Sequence, residues 1–194
     1  MKNIIAAVVG MCGTGKSVVS GYVQDTFGFK CVYFGGFVLE EVKKRGLEIN
    51  STNEKIVRED LRAKHGPAVM AKLAIDSIDS HLTSGSYVII DGLYSFSEYL
   101  YLKEKFSSQL VMIAIHTARH IRYQRLGSRE VRPLSPAEVD QRDLNEIQNI
   151  EKAGPIAIAD YHIVNDGELQ ELHSRVHQVF EELLQQTGLS ENSK

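Results

Sequence analysis

A short stretch near the start of the chain constrains the fold most. An apolar run at residues 4–9 leads directly into GMCGTGKS, in which Gly10, Gly15, Lys16 and Ser17 stand in the order GxxxxGKS. Glycines allow backbone conformations that other residues avoid, so successive N–H groups can converge on one anion. A lysine and the amino end of a following helix add positive charge at the same point. The stretch therefore predicts a phosphate-binding loop between a buried strand and a helix.

Short apolar runs recur along the chain and predict its architecture. Beyond the first run, they lie at residues 31–34, 87–90, 110–115 and 161–164. Between and after them, helical spacing predicts helices at 16–26, 37–45, 53–65, 67–83, 96–106, 119–126, 135–152 and 169 to about 185. Strands that alternate with helices form parallel sheets covered on both faces. The predicted fold class is a three-layer α/β domain.

Composition restricts the classes of partner. The 194 residues, of which 43% are hydrophobic, suit one well-packed domain. A net charge of -3 gives no overall attraction to nucleic acid or to an anionic membrane. The 2 cysteines have neither metal-site nor disulfide-framework spacing, and no apolar run approaches the roughly 20 residues that span a bilayer. We expect a cytoplasmic protein that binds neither nucleic acid nor membrane.

The glycine-rich loop predicts a nucleoside triphosphate, taken here as ATP, and Mg²⁺. Lys16 would reach the β and γ phosphates, and the Ser17 hydroxyl would bind Mg²⁺. Cys12 within the loop is interpreted as a tolerated small residue. The predicted cofactor-binding residues of the loop are Gly10, Met11, Cys12, Gly13, Thr14, Gly15, Lys16, Ser17 and Val18.

A second predicted site residue is Asp91, which follows the apolar run YVII. The carboxyl end of that strand lies at the same sheet edge as the phosphate-binding loop. Asp91 could therefore hold Mg²⁺ together with Ser17, or accept a proton from an attacking hydroxyl. The alternative is an Asp-Gly turn selected for its geometry alone.

A row of arginines precedes a Pro/Gly-rich segment at 127–136. Spacings of three and four would place the row on one helix face if the helix continues. Such a face predicts a lid that closes over the nucleotide and stabilises the migrating phosphoryl group. The alternative is that the arginines keep a surface helix soluble. The row consists of Arg119, Arg122, Arg125, Arg129 and Arg132, and the last four are the predicted catalytic cations.

Candidates for binding a phosphoryl acceptor lie in the middle of the chain. Arg58 and Arg62 are one helical turn apart and could bind an acceptor phosphate. Tyr94 could stack on a base or on a pantetheine-like arm. Ordinary helix charges and tyrosine packing at the rim of the core are the alternatives.

Taken together, GMCGTGKS, VIIDG, the arginine-rich segment and IAIADYHIVNDG resemble the small P-loop kinases that include nucleoside monophosphate kinases and dephospho-CoA kinase. The resemblance covers about residues 4–167. It implies a P-loop NTPase fold like that of nucleotide kinases, with a five-stranded parallel sheet and a mobile lid at about 119–152. It also implies Mg·ATP as the donor, acceptor-binding helices at about 36–84, and Asn165, Asp166 and Gly167 near the adenine. We expect one kinase domain over 1–188 and a flexible tail at 189–194.

The chain departs from adenylate kinase in two places. GGFVLEE puts Gly36 and Leu39 where that family has an acid and an arginine, and DGLYS lacks the arginine of the family's DGFPR. Either Arg58, Arg62 or the lid arginines replace the missing contacts to the acceptor phosphate, or the acceptor is not AMP. The predicted function is an ATP-dependent phosphotransferase acting on a nucleotide or nucleotide-like small molecule. A nucleotide-dependent switch is the alternative, and the net charge argues against ATP-dependent work on nucleic acid.

Overall fold

Five parallel strands form the central sheet. In this computed structural model, residues 3–130 and 133–186 are described, Ser51 by its backbone alone. The strands are β1 (Ile5–Val9), β2 (Lys30–Tyr33), β3 (Val88–Asp91), β4 (Leu110–His116) and β5 (Tyr161–Val164), in the order β2-β3-β1-β4-β5. The predicted five-stranded parallel sheet is confirmed, and each strand lies within one residue of its predicted bounds.

Helices connect the strands and cover both faces. They are α1 (Lys16–Phe27), α2 (Phe34–Lys44), α3 (Ser51–His65), α4 (Val69–Thr83), α5 (Phe96–Phe106), α6 (Arg119–Gly127), α7 (Pro136–Ile150), α8 (Ala153–Ala157) and α9 (Leu169–Gln186). A 3₁₀ turn, Ser107–Gln109, links α5 to β4. None of these described helices is both long and apolar enough to cross a membrane.

The alternation of side chains along β1 produces the three layers. Ile5, Ala7 and Val9 face a core completed by α2, α3, α4 and α5, whereas Ala6 and Val8 face a core completed by α1 and α9. All of Ile5–Val9 is buried, as expected for a strand with a helix layer on each side. The glycine-rich loop therefore begins at the carboxyl end of the buried central strand of the sheet.

The segment after β3 is held by a helix cap. Ser95 and Glu98 form a capping box at the start of α5, and the Glu98 carboxylate also accepts from the Tyr94 N–H at 2.8 Å. Glu98 is fully buried. The cap therefore fixes the short connection that begins at Asp91.

Two predicted helices end differently from expectation. The arginine-row helix does not continue, because α6 ends at Gly127. Arg129 consequently lies outside the helix and is exposed, and Arg132 lies outside the described residues. The predicted helix at 135–152 ends at Ile150, where Glu151 adopts a left-handed conformation with φ 54°, and the separate helix α8 follows. Spacing cannot reveal such an end, because Glu151 is a residue type that normally continues a helix.

Candidate active site

The loop between β1 and α1 has a shape that requires glycine. Gly10, Gly13 and Gly15 have φ values of 148°, 85° and 91°. A Cβ at Gly10 would lie 2.5 Å from the Ile115 carbonyl oxygen, and one at Gly15 would lie 2.6 Å from Asn165 Nδ2. The backbone is thus pressed against β4 and against the segment after β5, and side chains at these glycines would prevent that approach.

The concave side of the loop presents backbone donors. Within residues 3–130 and 133–186, the N–H groups of Gly13, Gly15, Lys16 and Ser17 donate to no protein acceptor. Lys16 and Ser17 also open α1, whose amino end carries partial positive charge. Converging free N–H groups at a helix start fit the oxygens of a polyphosphate.

Lys16 folds back over this loop. Its ammonium donates to the carbonyl oxygens of Gly10 at 2.8 Å and Met11 at 3.0 Å. Burial and the nearby Lys152 lower the pKa of Lys16 to about 7, and nearby acidic groups only partly oppose this. A polyphosphate bound in the loop would place negative charge beside this ammonium and so favour its protonated form.

Ser17 and Asp91 come together at the edge of the sheet. Asp91 is the last residue of β3, lies beside Val8 of β1, and is 8% exposed. Ser17 lies beside its carboxylate, and burial raises the pKa of Asp91 although Ser17 and the nearby Lys16 favour the ionised form. A hydroxyl and a carboxylate are ligand types that Mg²⁺ accepts when phosphates and water complete its shell. In the described ranges, no group of three or more His, Cys, Asp or Glu side chains is arranged to hold a metal.

Two of the α6 arginines brace the loop. Arg122 is buried, donates to both carboxylate oxygens of Asp143 at 3.1 and 2.6 Å, and reaches the Cys12 carbonyl at 3.1 Å. Arg125 donates to the Asn165 carbonyl oxygen at 3.0 Å. Both guanidiniums are therefore engaged with protein groups around the loop.

Arg119 and Arg129, the other described members of the arginine row, lie at the surface. Arg119 pairs with Asp140 on the outer side of α6, and Arg129 is exposed beyond the end of the helix. Successive helix residues point in different directions, so Asp143 does not pair with the adjacent Arg142. Asp143 pairs with Arg122 instead.

The segment after β5 contacts the loop directly. The Asn165 side chain is buried and donates to the Thr14 carbonyl oxygen at 2.8 Å. The Asp166 carboxylate accepts from the Ala118 N–H at 2.7 Å at the start of α6, while Gly167 is exposed. Of the residues predicted to lie near an adenine, Asn165 thus packs against the loop, and Asp166 contacts the start of α6.

The predicted acceptor residues have different surroundings. Arg62 pairs with Glu98 at 3.4 Å and so supports the segment after Asp91. Arg58 forms no ion pair or hydrogen bond with any described residue. Burial lowers the pKa of Arg58, and Arg62 and Arg142 act in the same direction. Arg58 is therefore a partly buried cation available to an anionic ligand.

The sequence did not predict an ion cluster that surrounds the buried Lys152 beside the loop. Glu146 accepts from Arg142 at 3.1 Å and from Lys152 at 2.5 Å. Burial would raise the pKa of Glu146, but the two cations outweigh it and lower that pKa to about 2. Lys152 is 1% exposed, and its ammonium lies 4.7 Å from the centre of the Tyr94 ring. Charged residues on a polar helix normally predict a solvent-exposed face, and no spacing pattern marks Lys152 as buried. We call Arg142, Glu146 and Lys152 the Glu146 cluster.

A cavity of about 420 Å³ opens where α3 meets the end of α7. Its lining is mainly polar and includes Arg62, Ser95, Ser97, Gln148 and Asn149. The cavity therefore provides space for a small polar molecule beside the arginines of α3.

The fold and the loop define the class of protein. A parallel sheet in the order β2-β3-β1-β4-β5, with a GxxxxGKS loop after its central strand, is the small-molecule kinase type of P-loop fold. Two kinases of known structure share it. Shikimate kinase from Acinetobacter baumannii, in complex with shikimate, superposes with a TM-score of 0.61 at 17% identity, over 95% of this chain and 94% of that chain. A gluconokinase from Sinorhizobium meliloti 1021 gives 0.54 at 15%, over 95% and 97%.

Sequence similarity identifies the family. Residues 7–145 match the family described as AAA domain. A UPF0200 protein from Thermococcus onnurineus (strain NA1) is 34% identical over 184 residues, which are 93% of this chain and 98% of that protein. The chain belongs to the AAA domain family and to the UPF0200 family.

Proposed function

We propose that this protein transfers the γ-phosphoryl group of Mg·ATP to a small molecule. The observation that carries the proposal is that the N–H groups of Gly13, Gly15, Lys16 and Ser17, in the loop that also holds the Lys16 ammonium and places Ser17 beside Asp91, donate to no acceptor among the described residues. Donors with no protein acceptor, a lysine and a carboxylate at one point match the charge pattern of Mg·ATP. The kinase names of the structural neighbours agree with this proposal.

Each residue would have a separate role. The loop amides and Lys16 would bind the β and γ phosphates, and Ser17 and Asp91 would hold Mg²⁺. When bound, Mg²⁺ would neutralise charge on the phosphates. The acceptor oxygen would form its bond to the γ-phosphorus while the bond from that phosphorus to the β–γ bridging oxygen breaks. ADP would leave with the electron pair. Where the acceptor group is a hydroxyl, its proton would pass to water, or to Asp91 when that carboxylate is not itself bound to Mg²⁺.

The acceptor would carry a negative charge, because Arg58 is a partly buried cation that has Glu54 within electrostatic range but forms no ion pair or hydrogen bond with a described residue. A nucleotide or nucleotide-like molecule, of the nucleoside monophosphate or dephospho-CoA class, meets this requirement. So does a small carboxylic acid, as the names of the shikimate and gluconate kinases suggest. The polar cavity beside Arg62 would take the rest of the acceptor.

The segment at about 119–152 would act as the lid over the nucleotide, within a kinase domain spanning 1–188. Arg122 and Arg125 would contribute by holding the loop and the segment after β5 in place. Arg129 and Arg132 would approach the phosphates only when the lid closes. The helices between 36 and 84 would bind the acceptor, with Tyr94 at their inner edge.

The test is a phosphorylation assay with a panel of acceptors. Wild-type protein and Mg·ATP are incubated with nucleoside monophosphates, dephospho-CoA, nucleosides, shikimate and gluconate, and the products are identified by mass spectrometry. We expect one acceptor to be phosphorylated, and Lys16→Met and Asp91→Asn to reduce the rate at least about 100-fold. Lys105→Met, which alters an exposed lysine of α5 paired with Asp79, serves as the control. ATP consumption that is independent of every acceptor would contradict the proposal.

A nucleotide-dependent switch is the second candidate. The observation in its favour is that two of the predicted acceptor residues are engaged within the protein: Arg62 with Glu98, and Tyr94 beneath the Lys152 ammonium. In this case ATP would alter the affinity for a partner without forming a phosphorylated small molecule. Comparing partner capture with and without Mg·ATP, alongside the acceptor panel, separates the two candidates.

A further inference from the structure

The Glu146 cluster lies between the two segments that form the proposed phosphate site. On one side, Arg142 and Lys152 are within electrostatic range of Cys12 in the glycine-rich loop, and Lys152 is also within range of Lys16. On the other side, the Lys152 ammonium sits over the ring of Tyr94, three residues after Asp91. The cluster is therefore located where a terminal phosphate on the loop would meet an acceptor beside Asp91.

The end of α7 is built in a way that turns Lys152 inward. The Lys152 N–H donates to the Glu146 carbonyl oxygen at 3.1 Å, across the left-handed residue Glu151. The Glu151 N–H donates to the same carbonyl oxygen, so that two successive N–H groups close the end of the helix on Glu146. The left-handed position at a helix end is usually taken by glycine, and another residue type tends to persist there where the surroundings require it. The cap reverses the chain so that the Lys152 side chain points back along α7 and becomes 1% exposed.

The cluster also holds more positive charge than the protein neutralises. One carboxylate, that of Glu146, accepts from both Arg142 and Lys152. The Arg142 side chain is 42% exposed, whereas that of Lys152 is 1% exposed. A buried cation is costly unless it is paired and hydrogen-bonded. Lys152 is the buried cation and shares its one carboxylate with Arg142, so an anion supplied by a ligand would add to its pairing.

Lys152 retains bonding capacity for that ligand. An ammonium has three donors, and among the described residues Glu146 provides the hydrogen-bond acceptor for Lys152. By contrast, Arg122 already donates to Asp143 and Cys12, and Arg125 to Asn165. Lys152 is thus better placed than the braced arginines of α6 to contact a phosphate.

We propose that Lys152 is a second phosphate-binding lysine that contacts the terminal phosphoryl group of the bound triphosphate. Glu146 and Tyr94 are positioning residues. Glu146 accepts a hydrogen bond from the Lys152 ammonium, and the Tyr94 ring lies against that ammonium on the acceptor side. Lys152 then stabilises the charge on the phosphoryl oxygens as they move from ADP to the acceptor. This inference rests on the proposed function for its catalytic meaning, but its binding consequence can be measured without any acceptor.

The test compares a triphosphate with a diphosphate. Affinities for the magnesium complexes of the β,γ-imido analogue of ATP and of ADP are measured by calorimetry on wild type, Lys152→Gln, Lys152→Arg and the surface control Lys105→Gln. A charge-assisted hydrogen bond is worth about 1.5–3 kcal/mol, and about 1.4 kcal/mol corresponds to a tenfold change. We expect Lys152→Gln to weaken triphosphate binding by about tenfold or more and ADP binding by less than about threefold. Lys152→Arg should recover part of the loss, and Lys105→Gln should alter neither affinity.

Equal losses for the triphosphate and ADP, or no loss, would overturn the inference, because a purely structural lysine cannot distinguish the two ligands. If Lys152→Gln does not fold, the double variant Glu146→Gln/Lys152→Met removes both charges of the pair and is read by the same affinity ratio. If no acceptor is phosphorylated but Lys152→Gln lowers the ratio of triphosphate affinity to ADP affinity, the phosphotransferase is rejected and Lys152 is kept as a triphosphate ligand. If an acceptor is phosphorylated but that ratio is unchanged, the phosphotransferase is kept and Lys152 is rejected as a triphosphate ligand.

Discussion

At the scale of single residues, the glycine-rich loop depends on the absence of side chains at its glycines. Gly15 has φ 91° and stands against the Asn165 side chain, so that the loop amides can turn toward one point. The sequence alone predicted this loop, because a left-handed backbone is encoded by glycine itself.

Gly15→Ala should therefore abolish nucleotide binding. The new Cβ would lie 2.6 Å from Asn165 Nδ2 in a backbone conformation that costs alanine about 1–2 kcal/mol. The matched control is Gly21→Ala within α1, where a Cβ meets nothing within 4 Å and where alanine should stabilise the helix by up to about 1 kcal/mol. Nucleotide titration and urea unfolding of both variants check this. Undiminished affinity in Gly15→Ala would show that the loop does not need this backbone conformation.

Other residue roles were not accessible from the sequence. Asp91 was predicted at the sheet edge because an acid after an apolar run marks the end of a buried strand, and it is found there beside Ser17. No pattern in the sequence indicated the position of Lys152. Its inward position depends on the left-handed conformation of Glu151, a residue type that gives no signal for a helix end.

At the scale of elements, α6 and α7 form one unit joined by two ion pairs of different character. Arg119 and Asp140 pair at the surface, with side chains 67% and 44% exposed, whereas Arg122 and Asp143 are 8% and 13% exposed. Both pairs span the same two helices. The comparison isolates the effect of burial on an ion pair.

Arg122→Ala should destabilise the protein by about 3–5 kcal/mol, because it leaves the Asp143 carboxylate buried without its partner. Arg119→Ala should cost less than about 1 kcal/mol, as for other exposed pairs. Chemical denaturation of the two variants and of the matching Asp→Asn variants measures both couplings. Equal effects of the two arginine variants would mean that the buried pair does not hold α7 against the loop.

The elements themselves were largely predictable. Helices α1, α5 and α9 and all five strands begin and end within about one residue of the positions that periodicity indicated. The short helix α8 was missed, because its sequence AGPIA contains a glycine and a proline and has no helical repeat. The end of α7 was misplaced because Glu151, which ends the helix, is a residue type that normally continues one.

At the scale of the whole molecule, stability should depend on pH through the Glu146 cluster. The pKa of Glu146 is lowered from an ordinary 4.5 to about 2. A carboxyl group with a lowered folded-state pKa contributes stability above its unfolded pKa, and that contribution is lost as the pH falls toward the folded value. The contribution of Glu146 should therefore be complete above about pH 5 and decline between about pH 4.5 and 2.

Glu146→Gln should lower the free energy of unfolding by about 3 kcal/mol at pH 7, since it leaves Lys152 without its carboxylate. The difference from wild type should shrink as the pH falls below 4.5, the ordinary carboxyl value from which Glu146 is displaced. Urea unfolding at a series of pH values measures the difference, with Glu171→Gln in the exposed Arg175 pair as the control. A difference that is the same at pH 3 and pH 7, or absent at both, would show that the carboxylate is not held ionised by its neighbours.

The sequence by itself determined the alternation of strands and helices, the glycine-rich loop and the acid at the end of β3. Each of these depends on neighbouring residues, through side-chain periodicity or through the conformations that glycine permits. Only the tertiary structure decided which cations face the loop. It paired Arg122 with Asp143, left Arg58 without a partner among the described residues, and buried Lys152 against Glu146. Charge interactions depend on distance and burial, and residues remote along the chain acquire both only when the chain folds.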